Sequence, residues 1–444
     1  MGRQRNLITQ MLGYRGWKVV AWRWESARGA TIFPLQGQIP FDAVLVLRLS
    51  RRWAARCSHC LAICSKLHEQ GKVRRWEELP AIGHRVVLEY APQRIKCQRC
   101  DSCPTELVAW ADPKQRQSRR LQQHLALDAS SMPLSHVAAK YGLSWHTIRR
   151  SEVAAIERWA KTRPPSILEE VGLDEKWLGR RHKLNDKFVT IASNLRTGEP
   201  VWIGYGRGEA TVTGFLTTLE PAEKSKIKLF ACDLHAPFRA AIRADKQLSH
   251  VAIVHDPFHI MKRAGDAVTE LRREIFFRAS KELRAVGRGT RWLVLRPWEK
   301  LDGKDRARLN ALFAMNGKLM RAYQVLEELR EALKAPDGPS IRKALQHIFY
   351  RTEKKSNVPM RKLHESLRRH YDGIVAFAEH RPPTGRLEAL NNNWEALVRR
   401  GRGYRDHNYL FRKLQFMTAN PIRNQQGASR FLALGLQSPA EVAA

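Results

Sequence analysis

Beyond Pro164-Pro165 the apolar residues change period in an order that few folds accept. Three short runs alternate apolar and polar positions: VGLDEKWLG from Val171, KFVTIAS from Lys187 and PVWIGYG from Pro200, with a turn at Thr197-Gly198. Period-two alternation bounded by turn residues reads as strands, here a three-stranded meander. A helical segment follows from Thr211 to Leu219, then the strand IKLFACD ending at Asp233. A helix from Pro237 to Arg243 and the strand VAIVHD ending at Asp256 complete the series.

Strand, strand, strand, helix, strand, helix, strand is the order of a ribonuclease-H-like α/β fold. In such a sheet Asp174 on the first strand and Asp233 at the tip of the fourth fall on adjacent strands. A later segment, GRLEALNNNWEALVRRGRGYRDHNYLFRKL from Gly385, reads as a helix with Leu387, Leu390, Trp394 and Leu397 on its buried face and Glu388 beside them. Three carboxylates so arranged suit two hard divalent cations, which activate a water or a 3′-hydroxyl and stabilise the leaving oxygen of a phosphodiester. Asp256 is the rival for the second position, but as the residue before Pro257 it has a plain role as a helix N-cap. Glu175 points to the opposite strand face from Asp174 and is not expected to be a ligand.

Six of the seven cysteines lie between Cys57 and Cys103. Cys57-Ser-His-Cys60 and Cys97-Gln-Arg-Cys100 are two C-x-x-C knuckles, and a two-residue spacer turns both thiolates of a knuckle toward one metal. Two knuckles give the four sulfurs of a structural zinc site, and His84 to Tyr90 supplies the strand expected beside a zinc ribbon. His59, Cys64 and Cys103 are surplus, and Cys103 competes with Cys100 for the fourth position. Cys232, standing alone, reads as a packed strand residue.

From Ser135 the chain reads SHVAAKYGLSWHTIRRSE, a helix-turn-helix pattern. Val137, Ala138 and Tyr141 share a face, Gly142 permits the turn, Ser144 caps the next helix and Ile148 is buried against the first. The second helix then exposes Trp145, His146, Arg149 and Arg150, donors and charges suited to a major groove or to phosphate. The basic run from Lys114 to Arg120 just before it is a further candidate for phosphate contact. These fit the charge of the chain: 78 Lys plus Arg against 43 Asp plus Glu leave +35 at pH 7 over 444 residues. A polyanion partner neutralises such self-repulsion, which favours nucleic acid over a membrane surface. No apolar run approaches the roughly 20 residues of a membrane-spanning helix. With no secretory signal read at the N-terminus, a cytosolic protein is expected.

Between Asp256 and Glu388 lies a long, mostly helical insertion. Residues 257–387 hold 29 Lys plus Arg and 15 Asp plus Glu, so +14 of the charge falls there. This favours a DNA-facing arm. Trp292 in TRWLVLRPW suits either stacking on an unpaired base or a place in the core.

Taken together, the cysteine knuckles, the helix-turn-helix, GLDEKW, CDLHAPFR, DPFHIMKRA and LEALNNNWEALVRRGRGYRD resemble the bacterial DDE transposases of the ISL3 insertion-sequence family over nearly the whole chain. The resemblance implies that Asp174, Asp233 and Glu388 are the acidic triad, with magnesium or manganese as cofactor, and that the N-terminal regions bind the terminal inverted repeats of the element. Relatives carry a basic residue two turns beyond the catalytic Glu. This chain has Glu395 there, so Arg399 and Arg400 become the candidates for terminal phosphate. The expected organisation is a zinc-binding domain over 1–111, a helix-turn-helix region over 112–166 and a catalytic domain in two parts, 167–260 and 381–425. A helical insertion over 261–380 separates those parts, and a tail over 426–444 ends the chain. The expected activity is metal-dependent DNA strand cleavage and strand transfer, by a homodimer in the synaptic complex, in a bacterial cytoplasm and associated with the nucleoid. A sequence-specific DNA-binding regulator with a non-catalytic domain is the alternative, and an RNA-directed nuclease leaves the helix-turn-helix unexplained.

Overall fold

The computed structural model describes residues 2–33, 38–178, 187–277, 281–353, 357–401, 404–419 and 425–436. The end of the expected tail, residues 437–444, lies outside them. The chain forms two compact units, one of residues 1–165 with 393–444 and the other of residues 166–392.

The first unit begins with α1 (Gly2–Leu12), β1 (Trp17–Glu25), β2 (Thr31–Ile32) and β3 (Val44–Arg51). The short β4 (Ala55–Arg56), β5 (Ile63–Cys64) and β6 (Leu67–Gln70) precede β7 (Arg74–Ala81), β8 (His84–Tyr90) and β9 (Gln93–Ile95). A five-stranded sheet runs β2-β1-β3-β8-β7, and β4-β5 and β6-β9 are separate pairs around the cysteines. The sheet is held by an aromatic core in which Trp110 stacks on Tyr14 and meets Trp17 and Trp76 edge to face. Such pairs contribute about 0.5–1.5 kcal/mol each beyond the area they bury. Then come α2 (Arg119–Ser131), α3 (Leu134–Tyr141) and α4 (Trp145–Lys161).

In the second unit, β10 (Glu170–Trp177), β11 (Phe188–Asn194) and β12 (Glu199–Tyr205) form the expected meander. They are followed by α5 (Glu209–Leu216), α6 (Pro221–Lys224), β13 (Leu229–Cys232), α7 (Ala236–Ala244) and β14 (Ala252–His255). The sheet order is β12-β11-β10-β13-β14, with β13 parallel to both β10 and β14. Its two faces follow from strand alternation. Val171, Leu173, Phe230 and Cys232 pack under Val212, Phe215 and Phe238 of α5 and α7. Leu229, Ala231 and Val254 face the other way, toward Leu387. Cys232 is fully buried, the packed strand residue expected.

Seven helices, α8 (Pro257–Phe277), α9 (Lys281–Gly287), α10 (Gly303–Met315), α11 (Gly317–Ala332), α12 (Gly338–Thr352), α13 (Val358–Arg369) and α14 (Tyr371–His380), make up the described part of the insertion. It has a core of its own through Val268, Leu309, Leu326, Leu345 and Leu363. Trp292 is not in that core: it is 65% exposed with Arg291 over its ring. α15 (Gly385–Arg400), α16 (His407–Ala419) and α17 (Gln425–Ala433) complete the chain. Leu387, Leu390, Trp394 and Leu397 are all buried on α15, as its helical spacing requires.

Candidate functional site

Cys57, Cys60, Cys97 and Cys100 bring their sulfurs within 4.8 Å of one another, the one such group of metal-ligating side chains among the described residues. Cys57 and Cys100 are 3.6 Å apart and Cys60 and Cys97 3.5 Å apart. A tetrahedral zinc with bonds of about 2.3 Å has sulfur–sulfur edges of about 3.8 Å, so the four sulfurs fit one such ion. Each knuckle closes on a residue in the left-handed region just after its second cysteine, Leu61 at φ 61° and Asp101 at φ 42°. L-residues avoid that conformation unless the surroundings impose it. Of the two candidates for the fourth position, Cys100 lies in the group, while Cys103, three residues on, stays outside it with Cys64 and His59. Within the group the Cys97 thiol pKa is lowered to about 6, chiefly by the backbone N–H of Cys100, while that of Cys60 is raised and that of Cys100 pushed up to about 12, so one thiolate is favoured before a metal binds.

The helix-turn-helix takes the form its sequence dictates. Gly142 ends α3 at φ 63°, and the Ser144 side chain accepts from Thr147 N at 3.2 Å to cap α4. Val137 and Ile148 are fully buried where the helices cross. Trp145, His146 and Arg150 at the start of α4 are exposed, but Arg149 is not free. It is ion-paired with Asp406 and lies over the Tyr409 ring at 4.8 Å. The preceding basic run divides likewise. Lys114 and Arg116 are exposed, whereas Arg119 is paired with Asp112 at 2.7 Å and Arg120 with Glu78 at 3.1 Å. Those last two arginines are engaged in ion pairs within the unit.

Sequence reading missed what holds α4 in place. Glu152, fully buried, accepts from Lys413 Nζ at 2.8 Å and from the Tyr409 hydroxyl, both on α16. Removing one partner of a buried pair costs about 3–5 kcal/mol, because the other charge is left uncompensated. The partners are 257 and 261 residues apart in the chain, beyond any local signal. Farther along, Arg399 pairs with Glu395 at 2.9 Å and Arg400 donates to the Ser130 carbonyl.

The carboxylates of the second unit gather at one edge of its sheet. Leu173 of β10 is in register with Cys232 of β13, and Cys232 with His255 of β14. The next residue on each is an aspartate: Asp174, Asp233 and Asp256. Alternation puts Asp174 on the face of Gly172 and Asp233 on that of Ala231, the face that Leu387 covers. The absence of a side chain at Gly172 makes that covering possible, since a Cβ there would lie 2.5 Å from Leu387 Cδ2. Glu388, the next residue of α15, is exposed in the first turn.

Asp174 is nearly buried. Its Oδ1 accepts from Glu175 N at 2.8 Å, and its Oδ2 lies 3.0 Å from Lys176 Nζ without a hydrogen-bond donor in line. Asp233 Oδ1 accepts from His235 N at 2.8 Å, and Asp256 Oδ1 accepts from Phe258 N at 3.0 Å, the capping role expected of it. Glu175 turns away and pairs with Arg207 at 3.4 Å. The carboxylates of Asp174, Asp233 and Glu388 do not close to within 4.8 Å of one another, unlike the sulfurs of the cysteine cluster.

A cavity of about 460 Å³ adjoins Asp233, lined also by His235, His259, Lys262, Arg263 and Lys362. It places Lys262 and Arg263 beside Asp233, together with the carboxylates of Asp266 and Glu270, the latter paired with Lys362 at 3.2 Å. The carbonyl of Leu234, next to Asp233, meets His370 Nε2 at 3.2 Å, which ties the end of α13 to the acidic edge.

Comparison with known proteins bears on this geometry. The profile of a family described as "Transposase" matches residues 171–414, more than half of the chain, and that of the helix-turn-helix domain of transposase family ISL3 matches residues 106–150. The transposase for insertion sequence element IS1001 of Bordetella parapertussis is 28% identical over 414 residues, covering 93% of this chain and 97% of the relative. That for IS1557 of Mycobacterium tuberculosis is 23% identical over 382 residues, covering 79% and 82%. With the profile extending from β10 into α16 and the helix-turn-helix ahead of it, the chain belongs to the ISL3 family of insertion-sequence transposases, DNA-binding enzymes that cut DNA strands and transfer them.

Proposed function

We propose that the second unit is a ribonuclease-H-like catalytic domain in which Asp174, Asp233 and Glu388 hold two magnesium or manganese ions. The observation that carries this reading is the parallel register of β10 and β13. It sets Asp174 and Asp233 side by side on the face where Leu387 of α15 packs. The donor set fits hard cations: carboxylate oxygens on adjacent strands, one of them a buried Asp174 oxygen with no hydrogen-bond donor of its own. Bound there, the ions would supply Lewis-acid stabilisation of the attacking and leaving oxygens in an in-line displacement.

The chain's own groups do the remaining work. Lys176 balances Asp174, and His259, Lys262 and Arg263 offer donors to strand phosphate beside Asp233. The same edge serves hydrolysis at the element end and attack of the freed 3′-hydroxyl on target DNA, because both are phosphoryl transfers. The four cysteines hold a structural zinc that fixes the 1–111 region. The helix-turn-helix of 112–166 reads the terminal inverted repeats through Trp145, His146 and Arg150, with Arg149 joining once released from Asp406. The catalytic parts 167–260 and 381–425 flank the helical arm 261–380, Arg399 and Arg400 are offered to terminal phosphate, and 426–444 is the tail. Synapsis of two ends calls for a homodimer.

The test is a duplex bearing one of the inverted repeats expected to flank the gene. Asp174→Ala and Glu388→Ala are each expected to lower strand cleavage by about 10²–10³-fold or more, the scale on which one element of transition-state charge stabilisation acts. Binding of the same duplex should be retained. Cleavage at the native rate in either variant overturns the triad.

A further inference from the structure

Beside the cysteine cluster, the chain presents an aromatic ring with no use in the assignments above. Trp53 lies between the end of β3 and the first knuckle and is 60% exposed, yet it is fixed from three sides. Arg51 donates to its carbonyl at 3.1 Å while bound to Tyr90, to Gln93 and, at 2.6 Å, to the fully buried carboxylate of Glu106. Gly16, at φ 79°, lets the indole settle on the backbone: a Cβ there would stand 2.6 Å from the ring. Arg15 lies over the ring at 5.7 Å, within cation–π range. An exposed tryptophan of the ordinary kind loses entropy if it is held and gains nothing in return, so a held one is a platform.

The platform borders a cavity of about 320 Å³ lined by Tyr14, Trp17, Trp110, Arg15 and Arg56 as well as Trp53. Trp110 is 1% exposed, and its indole N–H has no acceptor among the described residues. Leaving a buried donor unsatisfied costs about 1–3 kcal/mol, and the surrounding rings lock this one in place. The cavity thus offers a flat ring to stack on and, in Arg15 and Arg56, cations for an attached anion, while the Trp110 N–H lies beneath its surface. A nucleobase on its phosphodiester strand satisfies both, since every base has a π-face and carries an attached phosphate.

We propose that this cavity takes one unpaired nucleobase of bound DNA, stacked on Trp53. The inference rests on DNA as the partner and not on the acidic triad or on the helix-turn-helix residues. Base–aromatic stacking is worth about tenfold in affinity per base, which sets the size of the effect sought.

The test uses the full chain with no magnesium or manganese added, so that cleavage is not read. Two duplexes of one sequence serve as probes, one fully paired and one with a single 2-aminopurine extruded as a bulge. The native protein is expected to bind the bulged duplex about tenfold more tightly and to change the fluorescence of the 2-aminopurine. Trp53→Ala should abolish that preference with binding of the paired duplex unchanged, and Trp53→Phe should keep most of it. Metal content and thermal unfolding of each variant show whether the knuckles remain folded. Equal affinity of the native protein for the two probes overturns the proposal, as does equal loss on both probes in a folded Trp53→Ala variant.

Discussion

At the scale of single residues, charge is less informative than the partner that holds it. Arg149 lies on the second helix of the helix-turn-helix, where Asp406 already pairs with it, so a phosphate or base would have to displace a carboxylate to reach it. Asp406 also accepts from Tyr409 N at 3.1 Å to cap α16, a task that asparagine performs as well. Asp406→Asn should therefore keep the fold, tighten binding of the terminal repeat severalfold and steepen the log affinity against log salt slope by about one. An unchanged slope would mean that Arg149 never meets phosphate. His255 is a second case. It is 1% exposed, and burial lowers its pKa to about 4, below the ordinary 6.5 that the unfolded chain keeps. The unfolded state then binds more protons between those values, so the stability His255 contributes is full above pH 6.5 and is lost as pH falls toward 4. Urea unfolding at pH 7 and pH 5 should show that loss in the native protein and a smaller one in His255→Leu.

At the scale of elements, close approach decides the candidate site. The first turn of α15 packs on the sheet where Gly172 has no side chain, and Glu388 follows Leu387 in that turn. Gly172→Ala would force Leu387 aside at about 1–3 kcal/mol of overpacking. Strand cleavage is expected to fall at least tenfold in that variant while repeat binding is retained, and adding Leu387→Ala should restore part of it. Full activity of Gly172→Ala would show that the position of α15 does not matter to the chemistry. In the first unit the knuckles play the corresponding part, since β4-β5 and β6-β9 are too short to persist unaided. Metal analysis of the purified protein should find about one zinc per chain. Cys97→Ser should lose the zinc and lower the unfolding temperature, whereas Cys103→Ser should do neither.

For the whole molecule, the net charge of +35 divides into cations that face outward and cations that hold the fold. Arg119, Arg120 and Lys413 are buried or nearly so in ion pairs, while Lys114, Arg116 and Arg150 are exposed. Of these, only the outward set releases counterions on meeting DNA, so the salt dependence of binding should reflect fewer charges than the composition contains. Cations are also found next to the acids, where Lys262, Arg263 and Lys362 line the cavity at Asp233. The proposed site would need both signs within one edge, carboxylates for metal and lysine or arginine for a polyanion.

Much of this was written in local pattern. Alternation and helical spacing located β10 to β14, the meander turn at Gly198, both helices of the helix-turn-helix and the buried face of α15, because periodicity follows from backbone geometry. Spacing likewise paired the two knuckles. Contacts between distant parts of the chain were decided only by the tertiary structure. It chose Cys100 over Cys103, tied Arg149 to Asp406, buried Glu152 against Lys413 and left Trp53 and Trp292 in the open. A side chain's period tells which way it faces on its own element. Whether it then meets solvent, metal or an opposite charge depends on packing between elements far apart in sequence, and no local pattern encodes that.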